Sequence, residues 1–225
     1  MKHTFPSSHW GFVLRLATLC VAAAVSVNTQ AKELKFEQVF GGSGASGALH
    51  YHAEFISRGV QHQLEVWRDG ERRVKRRTDD AIETYAFHKP GDTEFNMSIL
   101  DMKKRIHTRI DRTNLYRIGN FTDWFDLAHG LKHPVGDYLL AKAQAPEGSA
   151  KPINACQWYD LTQGTRTTHI CWSAQSLLPL LIQTQQGGVV WRVAALERKP
   201  IPANTFEIHD GGFTRNDANQ DIEGD

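Results

Sequence analysis

Histidines and glutamates in one short stretch are the residues whose types and spacing could bind a metal ion. His50, His52 and Glu54 alternate with apolar residues, and Glu65 lies in the segment that follows. Two imidazoles and a carboxylate could hold zinc. These side chains fall on a face without apolar residues, however, where they would stand in water and lack the hydrogen bonds that orient metal ligands. A polar outer face explains them without an ion, so we predict no metal site and no cofactor.

Gly42, Gly44 and Gly47 match the glycine spacing of dinucleotide-binding loops. That motif requires a helix after the glycines, because the helix N-terminus receives the pyrophosphate. Residues 48–55 alternate between apolar and polar side chains, which predicts a strand instead. We therefore interpret the glycines as a flexible turn between two strands. The chain also lacks the G-x-S-x-G motif that presents a serine nucleophile, and we predict that it is not an enzyme.

The first 31 residues have the order of segments that is typical of a secretory signal peptide. Basic residues precede an apolar run over 16–27, and the small residue Ala31 follows. We predict that residues 1–31 are removed and that the mature protein is periplasmic. Two cysteines then remain, Cys156 and Cys171. Because an exported chain meets an oxidising compartment, this pair predicts one disulfide.

The chain is close to neutral, with 26 Lys and Arg against 25 Asp and Glu, which argues against a dedicated nucleic-acid binder. Basic residues nevertheless concentrate in two segments. If Val74 and Ile106 point inward, a basic stripe points outward from neighbouring strands, made of Arg73, Lys75, Arg77, Arg105 and Arg109. Such a stripe could contact an anionic membrane or an acidic envelope protein. The alternative is a solvated face on which acidic residues interleave with the basic ones.

Aromatic residues are abundant for one modest sheet and could line a pocket for an apolar ligand. A sheet covered on one side must fill a wide concavity with side chains or leave a cavity. The predicted ligand pocket is lined by Tyr51, Phe95, Phe121, Trp124 and Phe125. Filling of the core is the alternative for each of these rings.

Two alternating segments predict a β-hairpin that would position the histidines and Tyr51. Joining them through Arg58 and Gly59 sets Ala53 opposite Leu64 and makes one face of the hairpin consistently apolar. A slip of one residue would destroy this match, so the alternation predicts the register as well as the strands.

Similar alternation along the rest of the chain predicts an antiparallel meander. The further strand candidates are 34–40, 74–78, 83–87, 95–99, 106–110, 138–143, 156–161, 167–172, 178–183, 189–196 and 205–208. One helix is predicted from Phe121 to Leu131, with Asn120 or Thr122 as its N-cap and Gly130 near its end. Residues 210–225 have little apolar content and predict a disordered tail.

The C-terminal third contains a series of motifs in a fixed order. They are Cys156-x-Trp158, Cys171-Trp172, Leu178-Pro179-Leu180, Gly188-x-x-Trp191 and Pro202-Ala203-x-x-Phe206. This series resembles the end of periplasmic proteins of the LolA/LolB-like superfamily, which includes the lipoprotein carriers and the sigma-E regulator RseB. The resemblance extends in pattern over residues 33–209. It implies a half-barrel whose concave face binds or senses acyl chains or lipoproteins, although the cysteine pair and the arginine-rich strands depart from the carriers.

Together these observations predict a mainly β protein with few helices (α+β). We expect a curved antiparallel half-barrel sheet, covered on its concave face by short helices, over residues 32–209. The expected function is that of an exported, non-enzymatic protein that binds an apolar or lipidic ligand, such as an acyl chain, in the half-barrel cavity. The alternative is an envelope signalling or scaffold module that recognises a protein partner through its basic surface.

Overall fold

The computed structural model describes residues 34–41, 47–70, 72–89, 91–92, 94–117 and 123–223. The predicted signal peptide lies outside the described residues, and so do Gly42, Gly44 and Phe121. Within the described ranges, no helix has both the length and the apolar character needed to cross a bilayer.

Twelve strands in the described part of the chain form one open, curved sheet. They are β1 (Ala48–Ser57), β2 (Val60–Asp69), β3 (Arg73–Thr78), β4 (Ile82–His88), β5 (Phe95–Asp101), β6 (Ile106–Asp111), β7 (Leu139–Ala143), β8 (Gln157–Gln163), β9 (Arg166–Ser173), β10 (Leu178–Thr184), β11 (Val189–Glu197) and β12 (Thr214–Asp217). Their order is β12-β6-β5-β4-β3-β2-β1-β11-β10-β9-β8-β7. The mainly β class and the curved sheet are therefore confirmed. The sheet is mixed, however, because β12 pairs with β6 in parallel.

The first hairpin has the predicted register. Ala53 lies opposite Leu64, and Ser57 lies opposite Val60. Arg58 and Gly59 have φ values of 50° and 78°, so both central residues of the two-residue turn are left-handed. A two-residue turn with both central residues in this conformation matches the twist of the flanking strands. Alternation thus sends one set of side chains to the face that packs in the core, called here the core face, and the other set to the outer face.

Four short helices accompany the sheet in the described residues. They are α1 (Phe36–Phe40), α2 (Arg112–Arg117), α3 (Trp124–His129) and α4 (Ala218–Glu223). The predicted aromatic helix is α3, but its N-cap is Asp123, whose side chain accepts the Asp126 N–H at 2.7 Å. The cap is thus a different residue from the predicted Asn120 or Thr122, which lie outside the described residues. The helix ends at Gly130 with φ 65°, as predicted.

The helix α3 lies on the core face. Ala128 belongs to the cluster that contains Tyr51, and Leu127 belongs to the one that contains Phe95. The apolar stripe of α3 therefore covers the core face, as the sequence predicts.

Two predicted strands are helical instead. Residues 34–40 contain α1, in which Phe36 and Phe40 are fully buried with ring centroids 4.8 Å apart. Their i, i+4 spacing lets both rings point to one side of a helical turn. Residues 205–208 overlap a 3₁₀ turn, Ala203–Phe206. Phe206 is the buried side chain of this turn.

The prediction of a disordered tail over 210–225 is wrong for the residues that the structure describes. The main chain of Thr214 donates to the Arg105 carbonyl at 2.8 Å, and β12 adds to the free edge of β6. Residues 198–213, called here the C-terminal segment, run from β11 over the outer face to that edge. Phe206 stacks on Arg73, and Asp210 bonds His107 at 2.8 Å. Main-chain pairing and charge hold residues 210–217, which have few apolar side chains.

Candidate functional site

Two of the predicted pocket residues, Tyr51 and Phe95, lie in the packed core. Tyr51 and Phe95 are 1% and 2% exposed. Trp124 packs on Phe95 with centroids 6.1 Å apart, whereas Tyr51 faces Trp191 at 6.5 Å. Phe125 packs in a separate cluster around α1. The structure therefore divides these rings among three clusters, and their assignment to one ligand pocket stays a prediction.

A buried arginine attaches α3 to the sheet. Arg68 of β2 is 3% exposed and donates to the carbonyls of Ala128 and Ser176 at 2.8 and 2.6 Å. Its guanidinium also lies 2.8 Å from Nδ1 of His129, a nitrogen that lies 2.8 Å from the Leu177 carbonyl. Burial, together with the Arg68 charge, lowers the pKa of His129 to about 4. The imidazole is thus neutral near pH 7. Arg68 and His129 together hold α3 against the sheet.

The predicted basic residues do not form one stripe. The strands β3 and β6 are separated by β4 and β5, so the expectation of neighbouring strands is wrong. Lys75 is buried, with Nζ 3.3 Å from Glu83. Arg77 lies 3.0 Å from Glu83, and Arg73 pairs with Asp69. These ion pairs match the alternative of a face on which acidic residues interleave with the basic ones.

The two basic residues at β6 have different surroundings. Arg105 stacks on Phe213 and donates to the Gly211 carbonyl at 2.9 Å. Arg109 is exposed and makes no ion pair within the part of the chain that the structure describes. Arg105 thus anchors the C-terminal segment, while Arg109 keeps a guanidinium available to a ligand.

The carboxylate of Glu83 is the centre of the charge network on β3 and β4. The Tyr85 hydroxyl donates to it at 2.6 Å. Although burial opposes ionisation, this bond and the Lys75 and Arg77 charges lower the pKa of Glu83. Burial and the same bond raise the pKa of Tyr85. Since every charge has a partner here, this network stabilises the outer face.

The predicted disulfide joins Cys156 to Cys171. Cys171 is fully buried in the core, opposite Trp158 of the neighbouring strand. A buried disulfide of this kind fits an exported protein.

A cavity of about 520 Å³ lies between the outer face of β4 to β6 and the C-terminal part of the chain. Its polar and apolar lining residues are Phe87, Asn96, Met97, Ser98, His107, Arg109, Ile110, Ile208, Asp210, Arg215 and Asn219. The volume falls in the usual range for a small-molecule site.

A histidine–aspartate pair forms one wall of this cavity. Nδ1 of His107 lies 2.8 Å from Asp210, and Arg215 donates to the same carboxylate at 2.9 Å. These two bonds, first that from Arg215, lower the pKa of Asp210 to about 2. His107 is 6% exposed, and its Nε2 is buried without a hydrogen-bond partner within the described residues. Sequence reasoning missed this pair because His107 and Asp210 are 103 residues apart.

Three metal-ligating side chains meet on the outer face of the first hairpin. Nε2 of His50 lies 2.9 Å from Oε1 of Glu65, and Nε2 of His52 lies 3.6 Å from the same oxygen. The predicted register produces this arrangement, since His52 pairs directly with Glu65.

Comparisons with known proteins give one named structure. No family model matches the chain, and no curated protein matches it. Sixteen chains of solved structures match. One is the crystal structure of MucB, to which this chain is similar at a TM-score of 0.35 with 12% sequence identity. The match covers 72% of this chain and 57% of the MucB chain. This TM-score does not establish a family, so membership in the LolA/LolB-like superfamily stays a prediction.

Proposed function

We propose that this chain is an exported, non-enzymatic binding protein for an amphipathic anion with a short apolar tail. The proposed ligand site is the outer-face cavity rather than the predicted pocket beneath α3. The observation that carries the proposal is a cavity of about 520 Å³ in which the exposed guanidinium of Arg109 lies beside apolar side chains.

The lining supports both parts of such a ligand. Arg109 supplies a guanidinium without an ion pair in the described residues, and guanidinium groups bind carboxylates in a bidentate manner. Phe87 and Ile208 offer apolar surface in the same cavity. Each methylene buried there would contribute about 0.8 kcal/mol. The packing of Tyr51 and Phe95 in the core leaves less support for a ligand beneath α3.

Isothermal titration calorimetry with decanoate and decanol tests the proposal, because the two probes share a chain and differ in charge. We expect decanoate to bind more tightly than decanol. Arg109→Ala removes that preference, because it deletes the guanidinium that would bind the carboxylate. Arg109 is exposed, so its loss leaves packing intact. Ile208→Asn weakens the binding of both probes.

Two outcomes would overturn this assignment. If Trp124→Ala and Phe125→Ala abolish decanoate binding while Arg109→Ala does not, the ligand lies beneath α3. If the protein hydrolyses a decanoate ester and Ser98→Ala, in the cavity wall, abolishes turnover, the protein is an enzyme. The alternative function, recognition of an envelope protein through the basic surface, requires salt-sensitive binding that depends on Arg73 and Arg77.

A further inference from the structure

The two histidines of β1 are presented as a pair by strand geometry. His50 and His52 are two residues apart, so both side chains point to the outer face. Glu65 on β2 is the direct partner of His52. All three donor atoms lie within 4.8 Å of one another. Tetrahedral zinc with ordinary bond lengths would separate its ligand atoms by about 3.4 Å. The 2.9 Å separation of His50 from Glu65 is a hydrogen bond that zinc would replace, and the 3.6 Å separation of His52 from the same oxygen is close to that spacing.

Neighbouring residues restrict two of the three side chains, His50 and Glu65. Trp67 stacks on the His50 ring, with centroids 5.0 Å apart and an interplanar angle of 7°. Arg77 lies 3.5 Å from Oε2 of Glu65, which is the oxygen that does not face the histidines. Arg77 is in turn held by Glu83 at 3.0 Å. Stacking restricts the plane of the His50 ring, and the Arg77 contact leaves Oε1 of Glu65 as the oxygen that faces the histidines; a hydrogen-bonded carboxylate is common behind metal sites. These contacts are the support that the sequence pattern alone does not reveal.

We propose that His50, His52 and Glu65 form a divalent transition-metal site whose natural ion is zinc. Two imidazole nitrogens and one carboxylate oxygen suit this ion and leave a fourth position for water or for a ligand atom. The side chain of His52 is 50% exposed, so an ion reaches the site from solvent without a change in the fold. The site lies on β1 and β2, apart from the cavity proposed for the organic ligand, and the two assignments are independent.

Calorimetric titration of the purified protein with Zn²⁺ at about pH 7.5, where unperturbed imidazole is mostly neutral, tests the site. We expect one zinc ion per chain. His52→Ala and Glu65→Gln should each weaken zinc binding by about tenfold or more. Mutation of a residue that only hydrogen-bonds to a metal ligand commonly lowers affinity by this factor, and these two variants remove a ligand itself. His62→Ala is the matched control. His62 pairs with the carboxylate of Asp79 at 2.6 Å on the other side of the hairpin, and its loss leaves zinc affinity unchanged.

Copper provides a second measurement that does not depend on stability. Cu²⁺ at the site lies beside Trp67 and quenches its fluorescence, so Trp67→Phe removes most of the quenching. Absence of zinc binding, equal zinc affinity in the wild type and both ligand variants, or quenching that persists in Trp67→Phe would each overturn the proposal.

Discussion

At the scale of single residues, the buried charges of this protein are held by partners from distant elements. Arg68 reaches carbonyls in α3 and in the turn before β10, and it also contacts His129 at the end of α3. A second positive charge on His129 would lie against this guanidinium, and burial removes the water that could screen it. The native state therefore requires a neutral imidazole, which makes the fold sensitive to acid.

We predict that the free energy of unfolding decreases as the pH falls from about 6.5 towards 4. The unfolded histidine binds a proton near its ordinary pKa of 6.5, while the native one does so only near 4. Stability is therefore present above this window and is lost within it, by up to about 3 kcal/mol. Urea unfolding at a series of pH values measures the effect.

His129→Gln should have a flatter profile than the wild type. Since carboxylates titrate in the same range, the difference between the curves is the relevant quantity. Parallel curves for the wild type and His129→Gln would contradict the prediction.

At the scale of elements, the position of α3 depends on how the helix ends. Asp123 caps its start, and Gly130 turns the chain at its end with a left-handed backbone. A Cβ at Gly130 would lie 2.8 Å from the Trp191 ring, so this glycine also allows α3 to approach β11. A helix of six residues is too short to be stable alone, and such contacts determine whether it forms.

Gly130→Ala should destabilise the protein by about 2–3 kcal/mol, because it combines a left-handed backbone with a contact against Trp191. Gly136→Ala is the matched control. Its φ is 78°, but a Cβ there meets nothing within 4 Å, so it should cost about 1 kcal/mol for the backbone alone. Denaturant unfolding measures both variants. Equal losses would show that the approach of α3 to Trp191 does not matter.

At the scale of the whole molecule, part of the outer face of the sheet is covered as well as the core face. Tyr85 and Leu100 point to the outer face and are nevertheless completely buried. The C-terminal segment crosses this face, with Phe206 over Arg73 and Asp210 against His107, before β12 pairs with β6. The last residues of the chain thus join the middle of the sheet to one of its edges and build the cavity wall.

Truncation after Arg198 should therefore lower stability by about 3 kcal/mol or more, since Phe206 and the residues beneath it lose their burial. It should also expose apolar surface that binds a dye such as anilinonaphthalene sulfonate. Truncation after Asp217 retains the segment and β12 and should cost less. Calorimetric melting and dye fluorescence check both forms. Full-length stability in the shorter form would show that the segment is dispensable.

Local patterns were sufficient to predict much of the sheet and little of the candidate site. Alternation with period two predicts β1 and β2 and their register, because a slip would turn every apolar side chain outward. The same hairpin brings His52 to Glu65, but the sequence could not show that Trp67 and Arg77 support them. Those contacts depend on rotamers and on a third strand.

The sequence by itself determined the β class, the first hairpin, the helix that covers the core face and the cysteine pair, because each follows from spacing within a short segment or from a residue count. Only the tertiary structure decided that β3 and β6 are not neighbours, that residues 214–217 form a strand, and that Asp210 meets His107. Strand order and edge pairing use main-chain groups that every residue carries, so side-chain patterns do not encode them.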